Sequence, residues 1–484
     1  MTAPNPVIPA PPADLPGTLG ALRAAGHRHR SVKQELRDNL LARMRAGADR
    51  FPGIVGYDDT VLPEVERALL AGHDMVLLGE RGQGKTRLIR SLVGLLDEWT
   101  PVIAGSVLNE HPLHPITPAS RALVAEAGDD LPVGWLHRSM RYGEKLATPD
   151  TSVGDLIGDV DPIRLAQGRS LGDPETIHFG LVPRTNRGIF AVNELPDLAE
   201  RIQVALLNVL EERDIQVRGY QLRLPLDLFL VASANPEDYT NRGRIITPLK
   251  DRFGAEVRTH YPVDLELELA LIRQEADLVA EVPEHVLEVL ARFARAVRES
   301  PSVDPRSGVS ARFAIAAAET VAAAALRRAG LLAAADTPEG VRPEAPVARV
   351  GDAVSVTSTL RGKVEFESGE EGREVEILGH LLRTATAETF RARLAGLDLS
   401  GFTGLVAEGT VIETGELVSS AELLRQVGTV PGLAKALDRL GMGDAPTPEE
   451  AAAGVEFVLE GLHLTRRLGK DVTDSGRTRY GGRG

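Results

Sequence analysis

The stretch from Asp74 to Leu96 constrains this chain more than any other. The apolar run Met75-Val76-Leu77-Leu78 feeds a glycine-rich turn, Gly79-Glu80-Arg81-Gly82-Gln83-Gly84-Lys85-Thr86, and apolar residues then recur at Leu88, Ile89, Leu92, Val93 and Leu96. That last spacing is helical, so the segment reads as strand, turn and helix. The turn matches G-x-x-x-x-G-K-[ST], the P-loop pattern. Its glycines let successive backbone N–H groups curl around an oxyanion where a helix begins. Lys85 can reach terminal phosphates as a point charge, and the Thr86 hydroxyl suits a Mg2+ ion. The eight turn residues are therefore expected to hold a nucleoside triphosphate.

With 484 residues the chain is long enough for two to four domains. Its net charge of −14 argues against a large nonspecific nucleic-acid footprint, which needs a basic surface. There is no cysteine, so a disulfide framework or thiolate metal site is excluded. The start of the chain is rich in Pro and Ala, without the basic and apolar regions of a secretory signal. No apolar run approaches bilayer-spanning length. A cytoplasmic protein is the simplest expectation.

Residues 1–30 read as a disordered lead-in. Ser31-Val32-Lys33-Gln34 fits a capping box, and Leu36, Leu40, Leu41 and Met44 mark a helix ending near Gly47. Val61 to Leu70 reads as another helix. Residues 100–186 show few periodicities beyond a strand candidate at Val102 to Ala104, and read as long connections. Two further buried strands are expected, Gly188–Val192 ending in Asn193-Glu194, and Leu228–Ala232 ending in Ser233-Ala234-Asn235. Between them a helix carries Leu198, Ile202, Leu206, Val209 and Leu210, and a hairpin turns around Gly219. From Asp264 to Arg328 the pattern is helical. Strands alternating with helices, then a helical block, imply a parallel sheet with helices on both faces and a helical lid. Beyond residue 335, Pro343 and Pro346 suggest a linker. Thr447-Pro448-Glu449-Glu450 starts an amphipathic helix, and the glycine-rich end with Arg477, Arg479, Tyr480 and Arg483 reads as disordered.

Hydrolysis of a bound triphosphate needs a carboxylate to orient water, a cation, a polar contact to the γ-phosphate and positive charge. Strand ends are where an open α/β sheet places such groups. Glu194 is the candidate to polarise water, and Asn235 the candidate to hydrogen-bond the γ-phosphate. Arg252, in Pro248-Leu249-Lys250-Asp251-Arg252-Phe253, is placed to reach a neighbouring subunit's nucleotide. His111, His114 and His137 lie among prolines and are more simply unliganded than a metal site.

The order of these motifs resembles an AAA+ ATPase, and more narrowly the magnesium-chelatase ATPase subunit, which belongs with the MoxR-type ATPases. Phe179-Gly180-Leu181, Asn186-Arg187-Gly188-Ile189-Phe190, Leu206–Glu212, Ser233-Ala234-Asn235-Pro236-Glu237, Leu249–Gly254 and the stretch Thr148 to Asp161 carry the resemblance, over roughly residues 50–330. It implies an αβα P-loop sandwich over residues 31–262, a helical lid over 263–335, a mostly α extension over 336–465 and a disordered tail over 466–484. It assigns Gly79, Gly84, Lys85 and Thr86 to Walker A, Glu194 to the catalytic Walker B glutamate, Asn235 to sensor 1, Arg252 to the arginine finger and Arg312 to sensor 2. It further implies ATP and Mg2+, a homo-oligomeric ring, most often a hexamer, a partner with a von Willebrand A-type domain, an unidentified client, and a hairpin at Arg213–Leu224 moved by hydrolysis.

One position departs. The family usually has Asp-Glu where this chain has Asn193-Glu194. The Asp would help hold the Mg2+ shell through water, and Asn keeps the shape without the charge. Hydrolysis is expected to survive because Thr86 and Glu194 remain. The ring's role is then either metal insertion into a porphyrin, or MoxR-type chaperoning of another client; a slow or non-hydrolysing nucleotide-dependent scaffold is the alternative.

Overall fold

A computed structural model describes residues 8–161, 176–211, 214–217, 220–236, 244–304, 308–334, 344–407, 409–473 and 477–481, and the chain forms two compact units, Met1–His260 and Tyr261–Gly484. Arg213, Gly219, Glu237, Pro343 and Arg483, singled out in the sequence, lie outside the described residues.

The strands of the first unit are β1 (Met75–Leu78), β2 (Trp99–Ile103), β3 (Val133–His137), β4 (Tyr142–Leu146), β5 (Gly158–Val160), β6 (Ile177–Phe179), β7 (Gly188–Asn193), β8 (Asp214–Val217), β9 (Tyr220–Arg223), β10 (Leu228–Ala234) and β11 (Ala255–Arg258). Five of them form a parallel sheet in the order β11-β1-β10-β7-β4. β2–β3, β5–β6 and β8–β9 pair off antiparallel. Successive side chains of a strand face opposite sides. Thus Met75, Leu77, Ile189, Ala191, Phe229 and Val231 enter one core with Leu36, Leu40, Val65 and Leu88, from the helices Val32–Ala46, Val61–Ala71 and Lys85–Ser91. Val76, Leu78, Phe190, Val192, Leu230 and Ala232 enter the other, with Ile202, Leu206 and Leu249 from the helices Glu200–Glu211 and Thr247–Arg252. Burial on both faces is why these strands read as unbroken apolar runs. The expected capping box at Ser31 forms, with Gln34 reaching back, and the helix closes at Gly47 with φ 61°.

Two expectations for this unit are corrected. Residues 8–30 are not a featureless lead-in: they carry a helix, Leu19–Ala24, whose Leu19 and Leu22 are buried against Ile103, Leu131 and Val133. The Leu19 N–H donates to the Leu131 carbonyl at 3.0 Å, and the Trp135 indole donates to the Pro16 carbonyl at 2.9 Å. Burying two leucines is worth about 4 kcal/mol, enough to dock a segment whose Pro and Ala content alone suggests disorder. The described residues of 100–186 are not mainly loops either. They contain β2 to β6 and a helix, Pro118–Ala127, none of whose residues is buried, so no apolar periodicity marks it.

The docked lead-in brings His27 and His29 against His111 and His114. His27 Nε2 and His111 Nε2 are 3.1 Å apart, and the His29 ring lies 4.9 Å from that of His111 and 4.8 Å from that of His114. Burial, then the charge of Arg187, lowers His29 to about 4 and His111 to about 2. The folded values lie below the unfolded value, so the neutral cluster's contribution is complete above about pH 6.5 and is lost as pH falls towards 4. His111 alone is expected to lower stability by about 2 kcal/mol between pH 6.5 and pH 5. Denaturant titrations at the two pH values check this: the unmodified chain loses midpoint, and His111→Leu loses His111's share of the pH slope, about 2 kcal/mol, while the shares of His29 and the buried His285 remain. An equal slope in both would contradict it.

The second unit is built on the helices Leu265–Glu275, Glu284–Glu299, Ala311–Ala334, Glu374–Arg393 and Pro448–Leu464. A single buried cluster runs from Leu269 to Tyr480, so the expected lid and extension share one core. The Thr447 capping box forms. Its three strands, β12 (Ile412–Thr414), β13 (Gly469–Val472) and β14 (Thr478–Gly481), make an antiparallel sheet in the order β12-β14-β13. The tail expected to be disordered over 466–484 is thus corrected, for residues 469–472 and 478–481, to paired strands. Tyr480 is buried and donates to Glu460 at 2.5 Å, while Arg477 and Arg479 bind Glu413 at 2.9 and 2.7 Å. Among the described residues no helix is long and apolar enough to cross a membrane.

Candidate active site

Three neighbouring strands bring the glycine-rich turn, Asn193-Glu194 and Asn235 to one edge of the sheet. β10 lies between β1 and β7, with Leu78 opposite Ala234 and Ala232 opposite Val192. The residues following each strand therefore emerge side by side at the carboxyl edge. The Gly79 N–H donates to the Ala234 carbonyl at 3.1 Å, tying the turn to the strand that ends in Asn235.

Within the turn, Gly82 and Gly84 both have φ of +74°, a region that favours glycine. Where a Gly84 side chain would point there is open space, so the backbone is reachable. A Cβ at Gly79 would instead overlap the Thr259 and Gln83 side chains. The Gln83 carboxamide oxygen accepts from the Glu80 N–H at 3.1 Å and the Thr259 hydroxyl at 2.8 Å. The Tyr57 hydroxyl donates to the Gln83 carbonyl and lies 3.0 Å from the His260 carbonyl; burial pushes its phenol up to about 12. Lys85 is buried, its ammonium donating to the carbonyls of Gly79 and, at 2.8 Å, Glu80. A glycine-open turn with a buried ammonium folded along it and Thr86 beside it fits a polyphosphate with its magnesium.

At the end of β7, Glu194 sits at φ 56° and ψ 46°, a left-handed conformation costing a glutamate roughly 1–2 kcal/mol. Its N–H donates to the Ser233 hydroxyl at 3.3 Å. Both polar atoms of Asn193 are engaged: Nδ2 donates to Glu144 at 2.6 Å, and Oδ1 accepts from Ser233 at 3.2 Å. Glu144 also accepts from Arg90 at 2.9 and 3.1 Å and from the Tyr142 hydroxyl at 3.0 Å. Burial raises the Glu144 carboxyl, but these hydrogen bonds outweigh it and hold it below the usual carboxylate range. Asn235, where β10 ends, is buried.

No protein-family model matches the chain. The chloroplastic magnesium-chelatase subunit ChlI of Nicotiana tabacum is 28% identical over 244 residues, 49% of this chain and 54% of that protein. That of Oryza sativa subsp. indica is 30% identical over 233 residues, 47% of this chain and 52% of that protein. Over about half its length the chain resembles AAA+ ATPases of the magnesium-chelatase I/MoxR type. It spans about half the length of the curated relatives it matches. Among solved structures, a cryo-EM-based model of the BchI–BchD complex of magnesium chelatase is 24% identical, with a TM-score of 0.35, over 68% of this chain and 98% of that one.

Two further residues expected in the site, Arg252 and Arg312, stand on other elements. Arg252 ends the helix Thr247–Arg252 and forms an ion pair with Glu211, and its side chain is half exposed. Arg312 is exposed, second in the helix Ala311–Ala334 of the other unit. His137 stacks edge-on against Trp99, apart from the four clustered histidines. Sequence reading missed Glu144, Ser233 and Tyr57. Glu144 lies on β4, a half-exposed edge strand with no apolar run to mark it. Ser233 was visible only as part of the segment ahead of Asn235, and Tyr57 sits in a loop.

Proposed function

We propose that this chain binds ATP with Mg2+ and hydrolyses it as a subunit of a homo-oligomeric ring, remodelling a partner complex or driving metal or cofactor insertion into it. The observation that carries the reading is the convergence of the P-loop, Glu194 and Asn235 at the ends of three adjacent strands. Backbone N–H groups of Gly79–Gly84 and the Lys85 ammonium receive the phosphates. Glu194 orients a water whose oxygen bonds the γ-phosphorus as the bond to the ADP oxygen breaks, and its carboxylate accepts the water's proton. Asn235 hydrogen-bonds the transferred group. Thr86, and Asn193 through water, would hold Mg2+, which neutralises charge on the phosphates. Arg252 of a neighbouring subunit supplies positive charge to the site, and Arg312 serves as sensor 2.

The similarity to ChlI supports a partner with a von Willebrand A-type domain. Asn193 and the second unit's long extension favour a MoxR-type chaperone role over porphyrin metallation. Mixing two inactive variants tests the ring and the finger together. If Arg252 acts across subunits, Arg252→Ala and Glu194→Gln combined in equal amounts are expected to regain about a quarter of full turnover, because random neighbours complete one interface in four. Phosphate release checks it, with mass photometry reading assembly in ATP. A mixture no more active than its parts would defeat the arrangement.

A further inference from the structure

Three hydrogen bonds beside Glu194 run one way. The Glu194 N–H donates to Ser233 Oγ, the Ser233 hydroxyl to Asn193 Oδ1, and Asn193 Nδ2 to Glu144. From the other side, Arg90 of the P-loop helix donates to the same carboxylate. A carboxylate only accepts, so it fixes which end of the Asn193 amide faces it. That in turn presents Oδ1 to the serine proton and leaves a serine lone pair for the Glu194 N–H. Donors aligned head to tail reinforce one another. The series crosses three adjacent strands and ends on the backbone of a glutamate held in a left-handed conformation.

We propose that Glu144 is a positioning residue for the Glu194 carboxylate, acting through Asn193 and Ser233, and that its presence is what makes an amide the fitting group at position 193. The proposal rests on the ATPase reading above. Glu144 needs no contact with substrate. It anchors the series that fixes where Glu194 sits, and its pairing with Arg90 links that position to the helix that follows the phosphate turn.

The consequence is specific. In Asn193→Asp an acceptor would face an acceptor where 2.6 Å now separates donor from acceptor. Two carboxylates that close repel each other and neither can donate, so the series loses its anchor. Turnover at pH 8 is expected to fall roughly tenfold or more. Combining Glu144→Gln with Asn193→Asp reverses the polarity, because the new amide at position 144 donates to the new carboxylate at position 193. Turnover at pH 8 then returns to within about fivefold of the unmodified chain. ATP affinity measured without Mg2+ stays unchanged throughout, because none of these side chains is assigned a phosphate and the place given to Asn193 is beside the cation.

Steady-state kcat and KM at pH 8, and labelled-ATP binding without Mg2+, are measured for the unmodified chain, Asn193→Asp, Glu144→Gln and the double variant. A double variant no faster than Asn193→Asp, or a loss in Asn193→Asp confined to KM, overturns the proposal. A purely structural role would shift melting midpoints without this split between kcat and KM. Absence of turnover in the unmodified chain would instead defeat the ATPase reading. The 144–193 contact is then judged by melting midpoints: Asn193→Asp must lose stability, and the double variant must regain it.

Discussion

Glu194→Gln is expected to bind ATP as tightly as the unmodified chain while hydrolysing it a hundred to a thousand times more slowly, on the order of what a positioned general base contributes. The substitution is nearly isosteric, and the backbone anchor from the Glu194 N–H to Ser233 is independent of the side-chain terminus. What is removed is the carboxylate's ability to draw a proton from water. Single-turnover phosphate release, with labelled-ATP retention measured on the same preparation, separates the two effects. A fall in turnover of less than about tenfold would assign the role to another group. A parallel loss of affinity would mean that Glu194 shapes the pocket rather than the reaction.

Lys85→Ala is expected to act earlier, on binding. A charge-assisted contact of this kind contributes about 3 kcal/mol, roughly a hundredfold in Kd. The lysine also holds the carbonyls of Gly79 and Glu80, so its loss loosens the turn that presents the N–H groups. Both consequences point the same way, and turnover at sub-millimolar ATP should fall to background. The remaining ties of the turn, Gln83 to Glu80 and Thr259, and Tyr57 to Gln83, do not involve Lys85. A melting midpoint close to that of the unmodified chain is therefore expected, and it distinguishes lost binding from lost fold. Unchanged ATP affinity in a folded Lys85→Ala chain would remove the basis for the site.

What could be read from the chain divides by the range of the interactions concerned. The P-loop was legible because its strand, glycines, lysine and helix are consecutive, as were the caps at Ser31 and Thr447. The central strands were legible because burial on both faces demands apolar runs. β4 was not, since one side of an edge strand carries no such demand. The docked lead-in and the paired end of the chain were missed for a related reason: Leu19 and Leu22 meet Leu131 and Val133, and Tyr480 meets Glu460, and no local pattern announces a remote partner. Asn193 is the sharpest case. Read alone it looks like a lost charge beside Glu194, but Glu144, 49 residues earlier, occupies the place where that charge would clash.

The most direct test of the central assignment is calorimetric titration of the 484-residue chain with a slowly hydrolysed ATP analogue and Mg2+. Saturable binding that ADP displaces, and that disappears in Lys85→Ala, is the predicted result. A flat titration from a folded chain, or binding indifferent to Lys85, would contradict a triphosphate site at Gly79–Thr86.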